Sequence, residues 1–408
     1  MIRRPATILA LFTGLNLLNY LDRLVVAAVL KPLRDELHLS NLIAGSLGTV
    51  FLLGYILTSP IFGKLADRGP RKGLIAMGVG IWSAATFISG LATGTASLVA
   101  ARAVVGVGEA SYATLAPTII DDIAPLEKKG RWLSIFYVAT PIGGALGYLV
   151  GGFVLVHWGW RHAFYVCGGP GVLLALLCLL IQEPVRKKLA DKGSILSSVK
   201  KLWGRKVYRR GVLGFCAYTF AIGGFAFWAP TFLQDRYGLD EGSANYRFGL
   251  LTVVGGALGT VIGGVLSDRM VRARGAQGDD DGTARVNMRI CAIGSLIGAP
   301  LTGFAFLAPT SNMFFIIVFF AEVALFLSTS PINIVILRSV PTEARASAMA
   351  LSIFGIHVLG DLWSPLLIGG MADHMPVQRA MMLIPIAITI SAGVWFVRTP
   401  RQPVPHLP

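Results

Sequence analysis

The sequence has little charge. Asp, Glu, Lys and Arg make up 14% of its 408 residues, against 54% hydrophobic residues. A soluble domain carries about a quarter charged residues, so a water-exposed surface around a globular core is excluded. Cysteine is scarce as well. Cys167, Cys178, Cys216 and Cys291 lie in or beside apolar runs without CxxC spacing. That excludes a disulfide framework and a thiolate metal site, and leaves four small apolar side chains. No His, Cys and Asp spacing suits a metal. No Walker sequence occurs, so ATP is not the energy source. Ser111 sits in Gly108-Glu109-Ala110-Ser111-Tyr112 rather than in G-x-S-x-G, and no partner base is evident, so an enzyme is not expected.

Long apolar runs fill the chain. At about 20 residues per span, 408 residues allow about twelve spans and no soluble domain. The expected fold is an all-α membrane protein with twelve transmembrane helices in two pseudo-symmetric six-helix bundles. Spans are expected at 7–30, 41–63, 73–93, 96–119, 131–156, 161–182, 209–233, 244–267, 286–308, 311–337, 343–371 and 379–397. Residues 1–182 then form the first bundle, 183–208 a basic linker with a short surface helix near Ser194 to Trp203, and 209–408 the second bundle. The start imitates a signal peptide, but its apolar run continues through Asp22 and Arg23 to Leu30 without a cleavage signal, so it reads as a retained helix.

A net charge of +15 would suggest nucleic acid in a soluble protein. Here the cations sort by loop. Alternate connections hold 28 of the 36 Lys and Arg, the opposite ones hold six, and Arg23 and Arg102 lie within spans. The positive-inside rule places both termini and the 183–208 connection in the cytoplasm, and no nucleic-acid partner is needed.

The two halves repeat each other. Gly63-Lys64-Leu65-Ala66-Asp67-Arg68 after span 2 matches Gly264-Val265-Leu266-Ser267-Asp268-Arg269 after span 8, 201 residues later. Pro32-Leu33-Arg34-Asp35 matches Phe232-Leu233-Gln234-Asp235 at an offset of 200. A duplicated six-helix unit builds transporters that rock around a central site.

The run Gly63 to Lys72, GKLADRGPRK, resembles the motif between helices 2 and 3 of the major facilitator superfamily, with Pro70 where the pattern usually has Gly. Asp67 can accept from a neighbouring helix N-terminus, and Arg68 and Arg71 can bridge to carboxylates or lipid phosphates. The resemblance implies a cytoplasmic gate of Asp67, Arg68 and Arg71, repeated at Asp268 and Arg269. Three further stretches resemble the Spinster family of lipid transporters. They are RAVVGVGEASYATLAPTIIDDIAP in span 4, PIGGALGYLVGG in span 5 and IHVLGDLWSPLLIG in span 11, with Asn19-Tyr20-Leu21-Asp22-Arg23 in span 1 also fitting. This resemblance implies a proton-coupled transporter of lysophospholipids or sphingoid-type lipids, with no cofactor beyond a proton gradient. The chain is expected to be an integral protein of a bacterial inner membrane, acting as a monomer among membrane lipids.

Independently of any family, the charges inside spans mark a site. A charge near the bilayer centre costs at least about 2.5–3.5 kcal/mol, so such residues face a polar interior. Arg102 and Glu109 are seven residues apart, on one helix face, with Gly106 between them leaving room for a neighbouring helix or a substrate. At about 1.5 Å of rise per residue, Arg102 lies level with Asp22, and Glu109 about 10 Å further along. Asp22 with Arg102 and Arg23 with Glu109 are the expected pairs. The family resemblance also points to Asp22, Arg23 and Glu109 as the proton-coupling group.

Elsewhere, His357 and Asp361 are i, i+4 on span 11, and Glu322 is mid-span in helix 10. Glu322 and His357 are candidates for a proton or head group, and Asp361 is a secondary candidate expected near the outer end of its helix, where it would be solvated. Tyr20, Tyr55, Phe225 and Trp228 are candidate walls for a lipid chain, with Asn19 beside them and Arg23 and Arg102 as head-group cations. A proton-coupled exporter of amphipathic drugs is the competing reading within the class. A lipid-binding membrane receptor is the reading from another class, but a receptor has no need of two gates.

Overall fold

The computed structural model describes residues 2–125, 128–183, 200–276, 278–341 and 344–397, without the side chains of 67, 68, 129, 130 and 346. Among these residues it is helical throughout, apart from one isolated bridge between Ile2 and Ile181. Among the described residues, twelve helical segments are long and apolar enough to cross a membrane.

The helices are α1 (Pro5–Glu36), α2 (Asn41–Arg68), α3 (Arg71–Ser89), α4 (Thr95–Ile123), α5 (Lys129–Trp158), α6 (Trp160–Leu179), α7 (Lys206–Tyr237) and α8 (Glu241–Ala273). They continue as α9 (Asp280–Leu307), α10 (Ser311–Phe326), α11 (Thr329–Arg338), α12 (Arg345–Ile356), α13 (Ser364–Ala372), α14 (Val377–Ala380) and α15 (Leu383–Phe396). Residues 184–199 of the expected linker lie outside the described residues, and 200–203 form one helical turn.

Local sequence sets the helix starts. Pro5 opens α1, where its missing N–H is no loss. Ser40 caps α2, Asp279 caps α9 and Thr310 caps α10, each accepting from an amide three residues on.

Three expected spans are not the unbroken helices the apolar pattern suggests. Span 10 is α10 and α11, with a break at Leu327 and Ser328. Span 11 is α12 and α13 with a π-helical segment, His357–Asp361, after α12. Span 12 is α14 and α15, broken at Met381 and Met382. Each break lies four residues before a proline, Pro331, Pro365 or Pro385. A proline there has no N–H for the carbonyl of the residue four back and crowds it. Proline alone does not decide the break, since Pro32, Pro60, Pro117, Pro141, Pro170, Pro230 and Pro300 lie inside continuous helices.

The chain forms two compact units by its contacts. Unit 1 is Met1–Lys188, Gly224–Val253 and Leu362–Met381, and unit 2 is Leu189–Gly223, Val254–Asp361 and Met382–Pro408. Apolar burial gives helices little driving force in lipid, so close packing and interhelical hydrogen bonds hold them. In unit 1, α1 lies on α5, α2 on α4, and α3 on α4 and α6. Phe12, Trp82, Tyr112 and Phe136 form the buried centre. Tyr112 Oη donates to the Phe12 carbonyl, and the Asn16 amide donates to the Phe136 carbonyl at 3.0 Å. The glycines of span 5 are used for packing. A Cβ on Gly143 would lie 2.4 Å from the Leu17 carbonyl oxygen of α1. In unit 2, α9 packs on α10 and α15, and Trp395 of α15 donates to the Gly211 carbonyl of α7 at 3.2 Å. The four cysteines are free and buried.

Candidate functional site

The charged residues of spans 1 and 4 meet inside unit 1. Asp22 and Glu109 have no exposure and Arg102 is 2% exposed. The Arg23 side chain retains 14%, so it is the member of the group that reaches accessible space. Arg23 Nε donates to Glu109 Oε2 at 2.8 Å, joining α1 to α4. Asn19, also buried, faces Glu109 from one turn earlier on α1, at a geometry too loose for a hydrogen bond.

The expected Asp22–Arg102 pair does not form as a direct contact. Asp22 Oδ2 instead accepts from Thr86 Oγ1 of α3 at 2.8 Å. Asp22 Oδ1 and Arg102 Nε and Nη1 are buried with no hydrogen-bond partner among the described residues. Equal height along the membrane normal is not contact, because the third helix takes the carboxylate. The result is an ion pair beside two buried charges that are close but not joined, an arrangement costly to bury unless it is used.

Gly106 explains how α2 enters the site. A Cβ at 106 would lie 1.9 Å from the Phe51 carbonyl oxygen, so only glycine lets the two backbones approach this closely. The room at Gly106 is therefore occupied by a helix rather than a substrate. The approach brings the Phe51 ring to 5.1 Å from the Arg23 guanidinium carbon and 5.2 Å from that of Arg102. Tyr20 and Tyr55 flank Arg23 at 4.9 and 5.2 Å. Stacked aromatics hold a guanidinium flat without neutralising it. Phe51 and Thr86 were not expected from the sequence. Phe51 lies one turn before Tyr55 on the same face, a signal that was available. Thr86 gave none.

The other expected wall residues are packing residues. Trp228, fully buried, donates from Nε1 to the Pro365 carbonyl at 2.9 Å. Phe225 stacks edge-on with Phe248 at 5.3 Å.

Within unit 2, His357 Nδ1 lies 3.0 and 3.1 Å from the two Asp361 carboxylate oxygens. Asp361 is thus half-buried and paired, not simply solvated. Glu322 is 4% exposed and packs against Gly255 of α8, where an added Cβ would lie 3.2 Å from Glu322 Oε2.

Of the expected gate, the side chains of Asp67 and Arg68 lie outside the described residues. Arg71 bridges Asp122 of α4 at 2.7 Å and Glu183 at 3.0 Å. Glu183 also accepts from the backbone amides of Arg71 and Lys72, capping α3. At the equivalent place in unit 2 the charges are exchanged. Asp280, opening α9, takes Arg338 at 2.6 Å and Arg345 at 2.8 Å. Asp268 lines a cavity of about 380 Å³ with Arg272, Asp280 and Arg338, and Arg269 is exposed. No group of three or more His, Cys, Asp or Glu is placed to hold a metal among the described residues.

Comparison with known proteins fits this architecture. The family model of the Major Facilitator Superfamily matches residues 12–360. The chain is 34% identical over 374 residues to Protein spinster of Drosophila melanogaster, covering 88% of this chain and 60% of that protein. It is 33% identical to Protein spinster homolog 1 of Xenopus tropicalis, covering 93% of this chain and 75% of that one. This chain belongs to the Spinster family of the major facilitator superfamily. A further Spinster relative, 30% identical over 96% of this chain and 84% of its own, is the probable sphingolipid transporter spinster homolog 3 of Arabidopsis thaliana. This Spinster chain spans three fifths of the Drosophila protein's length. Its fold matches the crystal structure of a bacterial homologue of the human lysosomal transporter Spinster, with a TM-score of 0.82, 23% identity and 96% of both chains covered. It also matches a D-xylose–proton symporter, with a TM-score of 0.78, 19% identity and 97% and 98% covered.

Proposed function

We propose that this Spinster-family protein is a proton-coupled secondary transporter of lysophospholipids or sphingoid-type lipids, working by alternating access with both termini in the cytoplasm of a bacterial inner membrane. The observation that carries the reading is the Arg23–Glu109 pair, buried between α1 and α4 beside Asp22 and Arg102. A buried carboxylate paired to one arginine can give up that partner when it takes a proton. Arg23 is then released toward the accessible side, where Tyr20 and Tyr55 flank it. A guanidinium among aromatic rings suits an anionic or polar head group with an apolar chain beside it. The relative named as a probable sphingolipid transporter supports the same substrate class.

The glycines of span 5 would also suit a proton-coupled exporter of amphipathic drugs. Gly143, Gly144, Gly147 and Gly151 lie against α1 and Gly152 against Asn245 of α8, all as packing positions, and they give that reading no separate support.

The test is flux in proteoliposomes under an imposed pH gradient. Lysophospholipid and sphingoid substrates are compared with cationic amphipathic drugs. Gradient-driven movement of the lipids alone supports the proposal. Movement of the drugs alone selects the exporter, and saturable binding without flux selects a receptor.

A further inference from the structure

The far ends of several helices in unit 1, away from the N-terminus, are joined by a continuous polar chain. Asp235, at the end of α7, is held by Lys31 and, at 3.4 Å, by Arg34, both at the end of α1. Arg34 Nη1 also donates to Asn41 Oδ1, at the start of α2, at 2.8 Å. Asp373, just after α13, then accepts from the first two amides of α2, those of Asn41 at 2.7 Å and Leu42 at 2.9 Å. The Asn41 amide returns a bond to the Ala372 carbonyl at 3.2 Å. A carboxylate from far along the chain thus meets the orphan amides and the positive end of α2.

Beneath this chain the packing carries a cost. Thr231 Oγ1, both amide atoms of Gln234 and Asn245 Oδ1 are buried with no protein partner among the described residues. Gln234 is 5% exposed and the other two residues have no exposure. Gln234 stands one residue before Asp235, at the repeat position of Arg34. Burying unpaired amide and hydroxyl groups disfavours the closed arrangement, and separating these helix ends would hydrate them.

We infer that Asp235 and Asp373 are two carboxylate clasps that hold the far face shut against the buried polar residues Thr231, Gln234 and Asn245, so that this face is poised to open. The clasps differ in kind. The Asp235 clasp is a part-exposed ion pair, with side-chain exposures of 29% for Lys31 and 24% for Asp235, so salt weakens it. The Asp373 clasp is exposed as well, but its bonds go to uncharged backbone amides, so salt acts on it only through the partial charge at the start of α2 and weakens it less. The inference assumes that the protein alternates between two faces. Its readout needs neither substrate nor protons, so it can fail while transport stands.

The test places spin labels on His38→Cys, just after α1, and Arg236→Cys, at the end of α7, both exposed positions, in the otherwise unchanged chain. Asp373→Asn keeps one oxygen acceptor but loses the charge and the second acceptor of a two-amide clasp, so it should raise the long-distance population about tenfold relative to the short one. Asp235→Asn should raise it about fivefold or less, and added salt should mimic Asp235→Asn only. Gln234→Met should act in the opposite direction and lower the long-distance population. Asp240→Asn removes a charge on the same face but keeps a capping side chain at the start of α8, and should change nothing. If Asp373→Asn does not fold, Asp235→Asn and Gln234→Met still decide by their opposite signs. An unchanged distribution in folded Asp235→Asn and Gln234→Met, or an equal shift from Asp240→Asn, overturns the inference.

Discussion

Removing Arg23 while keeping its partner is the most informative change to the site. In Arg23→Met the apolar stem is largely retained, but Glu109, with no exposure, loses the donor at 2.8 Å. Breaking a buried ion pair from one side costs about 3–5 kcal/mol. The lost stacking on Tyr20, Phe51 and Tyr55 adds about 0.5–2 kcal/mol for each contact, so the single variant should melt well below the parent. In Arg23→Met/Glu109→Gln no charge is stranded, and the double variant should be more stable than the sum of the single losses by about 3 kcal/mol at most. The sign of the pH effect follows. A stranded carboxylate escapes its penalty by taking a proton, so the deficit of Arg23→Met should be small at acidic pH and grow as pH rises. Thermal unfolding of the four proteins of the cycle in detergent, between about pH 5 and pH 8, reads both quantities. Additive losses with no pH dependence would show that Arg23 and Glu109 do not act as a pair.

Further predictions concern the frame around that pair. Gly106→Val should push α2 from α4 and cost at least about 1–3 kcal/mol of overpacking, read as lost melting temperature and weaker stacking of Phe51 on both arginines. Asp280→Asn should loosen Arg338 and Arg345 and shift spin-label distances between α9 and α11 toward longer values, with a part-exposed pair contributing at most about 1 kcal/mol. An unchanged distribution would remove Asp280 from any gate. Ser197→Cys in the 183–208 connection should react with an impermeant maleimide only after the membrane is permeabilised, and labelling of intact cells would reverse the topology.

Much of this site is legible in the sequence because membrane spans tolerate so few charges. Arg102, Gly106 and Glu109 share a face by spacing alone, and helical rise brings Asp22 level with Arg102, while the reach of a long arginine side chain carries Arg23 to Glu109. The same reasoning misses the partner of Asp22, because Thr86 on α3 is a short hydroxyl residue in an apolar run and carries no mark of its role. It misses Phe51, one turn before Tyr55 on the same face, because that spacing does not single out one aromatic among many and the approach that Gly106 permits does. The breaks at Leu327, at the π-helical segment and at Met381 are invisible to hydropathy, which averages over them. Each lies four residues before Pro331, Pro365 or Pro385, but seven other prolines sit in unbroken helices, so proline alone does not mark them. The Asp373 cap on α2 spans more than three hundred residues, and nothing local to either segment announces it.

The central claim is that Glu109 carries the coupled proton and Arg23 holds its charge when the proton leaves. Proton-driven lipid flux by Glu109→Gln in liposomes tests it most directly, measured beside the thermal stability of the same preparation. Gln mimics the protonated acid permanently. The account predicts a folded protein that still binds lipid but whose transport no longer responds to a pH gradient. Parental pH dependence in a stable Glu109→Gln protein would contradict it and leave Asp22 as the group to test.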